Sequence, residues 1–125
     1  MKKFKTSYRV YYEDTDAGGV VYYANYLKFA ERARTDFLRE KDIHQAELYA
    51  KEGIAFVVHA LEASYHAPGK LDDLLDVTVA IAETKNTSVI MHQEISAAGK
   101  KLFSLSIRIV CVNRDMKPTR IPFTF

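Results

Sequence analysis

The chain has 125 residues, of which 48% are hydrophobic and 27% are charged, and these values suit one folded domain over residues 1–125. Its 18 Lys and Arg residues nearly balance 16 Asp and Glu residues, so the net charge of +2 gives no strong field for nucleic acid or an anionic membrane. No apolar run reaches the roughly 18 residues of a membrane helix, and none follows the N-terminal lysines as in a signal peptide. One cysteine allows no intrachain disulfide, so the sequence predicts a cytoplasmic protein.

The first two predicted elements differ in their hydrophobic period. Residues 4–12 alternate with period two and are rich in aromatic and β-branched residues, which predicts a strand. From residue 23 to residue 39 the period becomes helical, and neither Gly nor Pro interrupts it. One face of this helix carries Tyr26, Phe29, Ala30, Ala33 and Phe37. Its small residues predict close packing against a sheet.

The rest of the chain is mostly strand-like. Residues 44–51 are expected to form a short second helix that Gly53 ends. Four further strands are predicted at residues 56–67, 74–84, 88–97 and 101–113, and the tail with its two prolines is expected to be extended. The order β-α-β-β-β-β predicts an α+β fold, in which one long helix is wrapped by a five-stranded, mostly antiparallel sheet. Such a sheet has exposed edges, which pairing in a symmetric dimer would cover.

Residues 13–26, EDTDAGGVVYYANY, join an acidic loop to the start of the long helix. A loop that bends at glycine before a helix N-terminus can supply a base together with unpaired N–H donors, the two groups that acyl transfer needs. Asp16 is the candidate base, because it precedes Ala-Gly-Gly and an apolar Val-Val pair that would border a dry cleft. The backbone N–H of Tyr23 is the candidate donor. Taken alone, a loop aspartate is more often a turn or capping residue.

Other chemistries have weaker support in the sequence. The run D-T-D-A-G-G resembles the opening of a calcium loop, but Gly18 and Asn25 stand where a ligand and the bidentate glutamate belong. The four histidines have no metal spacing, and Ser88 lacks a G-x-S-x-G elbow. Cys111 lies between two valines and is expected to be a buried strand residue. The sequence therefore predicts no metal and no cofactor.

The run YRVYYEDTDAGGVVYYANYLKFAERARTDFL resembles the 4-hydroxybenzoyl-CoA thioesterase family of hot-dog-fold enzymes. It is particularly similar to the acyl-CoA thioesterases associated with the bacterial Tol–Pal system. The likeness continues through FVVHALEASYHAPGKLDDLLDV, the Thr-Ser pair at residues 87–88 and VCVNRDMKPTRIP, so it covers nearly the whole chain. It implies a hot-dog fold, a homodimer with a continuous sheet or a homotetramer, and hydrolysis of acyl-CoA without metal or cofactor.

The same resemblance implies roles for individual residues. Asp16 matches the family's catalytic aspartate, as nucleophile or as general base, and the Tyr23 N–H matches the donor that polarises the thioester carbonyl. The residues expected to shape the pocket, with walls from a partner subunit, are Gly19, Val20 and Asn25, and more weakly His59, Thr87 and Ser88. Tol–Pal-associated members typically carry histidine at the Tyr23 position, whereas hydroxybenzoyl-type members carry tyrosine.

The predicted function is hydrolysis of an acyl-CoA thioester to a free acid and CoA. The alternative is a non-enzymatic or weakly active module that binds an acyl chain or acyl carrier protein, and the departure at Tyr23 favours it. Asp16 opposes that alternative, because a binder of an apolar chain gains nothing from a carboxylate in its cleft. A hot-dog dehydratase would be expected to carry a catalytic histidine in the loop–helix element, where this sequence has none.

Overall fold

The computed structural model describes residues 3–125, and within this range the chain forms five strands and two α-helices. The strands are β1 (Lys3–Arg9), β2 (Ala55–Tyr65), β3 (Leu74–Thr84), β4 (Ser88–Ala97) and β5 (Lys100–Val112), and the helices are α1 (Asn25–Glu40) and α2 (Gln45–Glu52). The strands form one sheet in the order β1-β3-β4-β5-β2, with every neighbouring pair antiparallel. The predicted α+β class and order of elements are confirmed, and the sheet is wholly antiparallel.

The first strand and the long helix have different limits from those predicted. β1 ends at Arg9, and residues 12–14 form a single turn of 3₁₀ helix instead of continuing the strand. The carboxylate of Asp14 accepts a hydrogen bond of 2.8 Å from the Tyr11 N–H, and such a local bond competes with strand pairing. Tyr12, in this turn, is 82% exposed. α1 begins at Asn25, because residues 23 and 24 form a turn.

The apolar face of α1 packs across β1, β3 and β4, as its helical spacing predicts. Ala30 and Ala33 are fully buried, so the helix backbone approaches the sheet closely. One buried polar contact joins the two layers. The Gln93 side chain on β4 donates from Nε2 to the Ala30 carbonyl oxygen and accepts from Arg34 Nη1, each at 2.9 Å. Burial of the Arg34 guanidinium lowers its pKa.

The edge strand β2 has no strand beside its outer side within residues 3–125. Its large apolar side chains are unusually accessible: Val58 and Tyr65 are each 50% exposed and Leu61 is 42% exposed. A β-bulge between Val58 and Ala60 interrupts the pairing with β5 at His59. The tail after β5 runs without helix or strand and is held by bonds such as that from the Thr119 N–H to the Cys111 carbonyl, 2.9 Å long.

Candidate active site

The loop between β1 and α1 holds Asp16 in a tight turn. The Asp16 N–H donates to the Val20 carbonyl at 2.9 Å, and the Gly19 N–H donates to the Asp16 carbonyl at 3.0 Å. Gly19 has a φ of +78°, in the left-handed region that glycine adopts without steric cost. The Asp16 side chain accepts a bond of 2.8 Å from the Gly18 N–H at Oδ1, whereas its Oδ2 has no partner in the described part of the chain. One carboxylate oxygen is thus held in place and the other is free to react.

The dry cleft expected beside Asp16 is not formed by one chain alone, because the Asp16 side chain is exposed at the surface of the loop. Its acidic neighbours differ from each other. Glu13 is exposed, whereas Asp14 is only 7% exposed and its carboxylate accepts a hydrogen bond from the Tyr11 backbone N–H. The Asp14 carbonyl accepts from the Tyr22 N–H at 2.9 Å and from Asn25 Nδ2 at 3.2 Å. Asn25, predicted to shape the pocket, is therefore buried and ties the acidic loop to the first turn of α1.

A second loop, which precedes β3, fixes the other side of the Asp16 loop. The Val21 N–H donates to the Gly69 carbonyl at 2.8 Å, and Val20 pairs with Lys70 in an isolated antiparallel bridge. The Gly69 N–H in turn donates to the Tyr26 hydroxyl at 2.9 Å. A Cβ at Gly69 would lie 3.1 Å from the Val21 side chain, so glycine allows the two loops to approach each other this closely.

The start of α1 offers backbone donors that nothing caps. Ala24 is the N-cap residue and has no side chain that could accept a hydrogen bond. The N–H groups of Tyr23 and Ala24 donate to no acceptor in residues 3–125, whereas those of Tyr22 and Asn25 are both bonded. Unpaired N–H groups at a helix N-terminus carry partial positive charge and favour an anion. A bridge between Thr15 and Val21 keeps this turn beside the loop that carries the free carboxylate oxygen.

Tyr65, the last residue of β2, contacts this turn and was not singled out in the sequence. Its hydroxyl donates to the Tyr23 carbonyl oxygen at 2.9 Å. Its ring packs edge-on against Phe103, Tyr26 and Tyr23, with centroids 5.1, 5.6 and 6.3 Å apart. A half-exposed tyrosine at a strand end has no pattern that distinguishes it from other surface residues, so sequence alone gave no signal for it.

Three predicted pocket residues lie away from Asp16 in the same chain. His59 is exposed at the β2 bulge, six residues before the strand end that touches Tyr23. Thr87 immediately precedes β4 and Ser88 is its first residue. Ser88 is buried, and its hydroxyl accepts a bond of 3.3 Å from Arg108 Nη1. The ten residues of β4 span about 30 Å. Thr87 and Ser88 therefore lie at the end of the sheet opposite to the Asp16 loop, which follows the paired ends of β1, β3 and β4 at Arg9, Leu74 and Ala97.

A cavity of about 140 Å³ lies between the C-terminal half of α1 and the sheet. Its walls are mainly apolar and include Leu38, Phe56, Val58, Met91, Ile109 and Phe125. Arg34 lines one side of it. This cavity lies near the start of β2 and the end of β5, so within one chain it is remote from the Asp16 loop.

Three further observations concern groups outside the loop. Cys111 is fully buried on β5, and burial raises the pKa of its thiol, which disfavours the reactive thiolate. Among residues 3–125, no three His, Cys, Asp or Glu side chains are grouped so as to hold a metal ion. Neither helix in this range is long and apolar enough to cross a bilayer.

Comparison with known proteins identifies the family. The model of the thioesterase superfamily matches residues 18–104. This range includes the turn with the uncapped donors and the contact of Val20 and Val21 with the loop before β3. The chain belongs to the thioesterase superfamily. It is 45% identical over 121 residues to the acyl-CoA thioester hydrolase YbgC of Escherichia coli O6:H1, and the match covers 95% of this chain and 90% of that protein.

Solved structures of thioesterases have the same fold. A probable thioesterase from Bartonella henselae superposes with a TM-score of 0.93 at 33% identity, covering 97% of this chain and 100% of that one. A mutant 4-hydroxybenzoyl CoA thioesterase complexed with 4-hydroxybenzoyl CoA superposes with a TM-score of 0.91 over 98% of this chain and 94% of that one, but at 17% identity it shows the fold alone. The predicted hot-dog fold, the family and the class of enzyme, a thioesterase, are confirmed.

Proposed function

We propose that this thioesterase hydrolyses acyl-CoA to a free acid and CoA, with Asp16 as nucleophile or general base and the Tyr23 N–H as oxyanion donor. The observation that carries the proposal is the uncapped start of α1, whose unpaired N–H groups lie beside the loop with the free Asp16 carboxylate oxygen. The YbgC relative is an acyl-CoA thioester hydrolase, which supports CoA as the thiol.

In this mechanism the carbonyl oxygen of the thioester accepts a hydrogen bond from the Tyr23 N–H. Attack on the carbonyl carbon moves the π electrons onto this oxygen, and the positive end of α1 stabilises the resulting oxyanion. As general base, Asp16 takes a proton from the attacking water; as nucleophile, its oxygen attacks and forms an anhydride that water then hydrolyses. In both routes the C–S bond breaks, and the CoA thiolate leaves and takes up a proton.

We also propose that the working enzyme is a homodimer, or a homotetramer made of two such dimers, in which two β2 edges pair antiparallel. The exposed apolar side chains on this unpaired edge support the pairing, because native proteins usually cover such edges. A two-fold axis through β2 would set the Tyr65 end of one strand beside the Ala55 end of the other. His59 of one copy would then lie four residues from the Tyr65 end of the second strand and six from its own, so it is nearer the Asp16 loop of the second copy.

Thr87 and Ser88 lie farther from the β2 edge than His59. Val110 on β5 is paired with both Ser88 on β4 and Val57 on β2, so these three residues form one row across the sheet. Their side chains point to the sheet face opposite the cavity under α1, which is lined by Val58, Val89 and Ile109 of the neighbouring row. A role of Thr87 and Ser88 in the pocket therefore requires the acyl-CoA to reach that outer face of the partner copy.

The test is thiol release from short-chain, long-chain and aromatic acyl-CoAs by the wild type and by Asp16→Asn. Asparagine keeps the size of the side chain and removes its charge, so we expect turnover to fall about 10²–10⁴-fold. Glu13→Gln is the matched control, because Glu13 is an exposed carboxylate of the same loop and should be replaceable with little effect. Equal turnover by wild type and Asp16→Asn would refute the role of Asp16. A folded wild type without turnover on any acyl-CoA would favour the acyl-binding module.

A further inference from the structure

We propose that Tyr65 is a positioning residue, whose hydroxyl holds the Tyr23 backbone so that its N–H points at the thioester carbonyl. This inference rests on the proposed role of the Tyr23 N–H as oxyanion donor. It concerns a side chain on the edge strand, 42 residues away from Tyr23 in the sequence.

The two peptide groups on either side of the Tyr23 α-carbon are held by different partners. The preceding peptide, which contains the Tyr23 N–H, is held through its carbonyl, because Tyr22 O accepts from the Asn25 N–H at 2.8 Å. The following peptide is held through the Tyr23 carbonyl, whose partner among the described residues is the Tyr65 hydroxyl. The first helical bond nearby runs from the Leu27 N–H to the Ala24 carbonyl, so α1 itself does not restrain the Tyr23 carbonyl.

The Tyr65 hydroxyl is itself held firmly. Its ring packs against Phe103, which is fully buried, and against Tyr26, which is 3% exposed and is fixed by its own bond from the Gly69 N–H. Tyr65 is also paired with Phe103 in the β2–β5 ladder, so the backbone that carries the ring is fixed to the sheet. The sheet thereby sets the orientation of a turn that has no side-chain cap of its own.

The bond joins a side chain of the sheet edge to the backbone of a turn that no helical bond restrains. The bond restrains the backbone next to an unpaired donor, and an oxyanion donor stabilises charge best when it is oriented before the reaction begins. Loss of the hydroxyl should therefore affect catalysis more than it affects folding.

Tyr65→Phe removes the hydroxyl and keeps the ring. We expect kcat/KM to fall about 3- to 10-fold, the effect of losing one neutral hydrogen bond, while the melting temperature changes little. Tyr49→Phe is the matched control, because Tyr49 on α2 is 48% exposed and its hydroxyl has no partner within residues 3–125. Unchanged kcat/KM in Tyr65→Phe, in an active wild type, would overturn the inference and leave the proposed function intact.

Two unreactive CoA analogues separate positioning from general loosening. A ketone analogue, with a methylene between sulfur and carbonyl, keeps the oxygen that accepts from the Tyr23 N–H, and a thioether analogue lacks it. If Tyr65 positions this donor, Tyr65→Phe should weaken inhibition by the ketone about 3- to 10-fold and leave inhibition by the thioether unchanged. Equal weakening of both analogues, or no weakening of the ketone, would contradict the inference.

Discussion

The buried contact between Gln93 and Arg34 gives a quantitative prediction about what holds α1 on the sheet. Gln93 is 1% exposed and makes two hydrogen bonds, one to the Ala30 carbonyl and one from the Arg34 guanidinium. Replacement by leucine keeps much of the volume and removes both bonds. The Ala30 carbonyl still accepts its helical bond, so the main loss falls on the half-buried guanidinium.

The magnitude follows from these contacts. A bond to a charged group contributes about 1.5–3 kcal/mol and a neutral one about 1 kcal/mol, whereas relief from burying the polar amide returns about 1 kcal/mol. The free energy of unfolding should therefore fall by about 2 kcal/mol in Gln93→Leu. For a chain of 125 residues this corresponds to a melting temperature lower by about 8 °C.

The assay is urea unfolding, followed by circular dichroism, of the wild type, Gln93→Leu, Arg34→Leu and the double variant at one protein concentration. A fixed concentration matters because the apparent stability of the proposed dimer would depend on it. Since each single variant removes the same bond, the two losses should sum to about 1–2 kcal/mol more than the loss in the double variant. Additive losses, or a single variant as stable as the wild type, would refute the reasoning.

Two further predictions concern the glycine turn and the response to alkali. Gly19→Ala forces a φ of +78° on a residue with a Cβ, so thermal unfolding should show a loss of stability of about 1–2 kcal/mol. Gly18→Ala places a Cβ 3.2 Å from Asp16 Oδ1 and should lower kcat more than stability. A larger loss of stability in Gly18→Ala than in Gly19→Ala would contradict the assignment of the turn. Burial and a hydrogen bond to Asp36 raise the pKa of the Tyr8 hydroxyl, so above pH about 10 the unfolded chain loses this proton while the folded chain keeps it, and stability falls. Urea midpoints from pH about 8 to about 11 should fall less steeply in Tyr8→Phe than in the wild type, and equal slopes would exclude this group as a cause.

Local patterns were sufficient for most of the fold. The predicted limits of β3 and β4 agree with the structure at both ends, because a period of two sets one side of each strand on the core and polar turns bound it. The predicted limits failed where a side chain bonds to nearby backbone. At Asp14 such a bond ends β1 early, and alternation of apolar residues carries no information about it.

Some residues of the candidate site could be inferred from the sequence, and others only from the structure. Asp16, the glycine turn and the start of α1 are contiguous in sequence, so their chemistry could be inferred from residue types and their order, and the resemblance to thioesterases reinforced it. Tyr65 became visible only when β2 was placed beside α1, since its partner lies far away in the chain. His59, Thr87 and Ser88 were named by resemblance, and the fold sets them far from the Asp16 of their own chain.

The sequence by itself determined the class of fold, the loop that bears Asp16 and the family, because these depend on periodicity and on residues that are neighbours in the chain. The tertiary structure decided which donors are left unpaired, which carboxylate is buried and which apolar strand lies at the edge of the sheet. Those properties depend on hydrogen bonds and burial between distant segments. They arise only when the helix, the two loops and the edge strand are packed together.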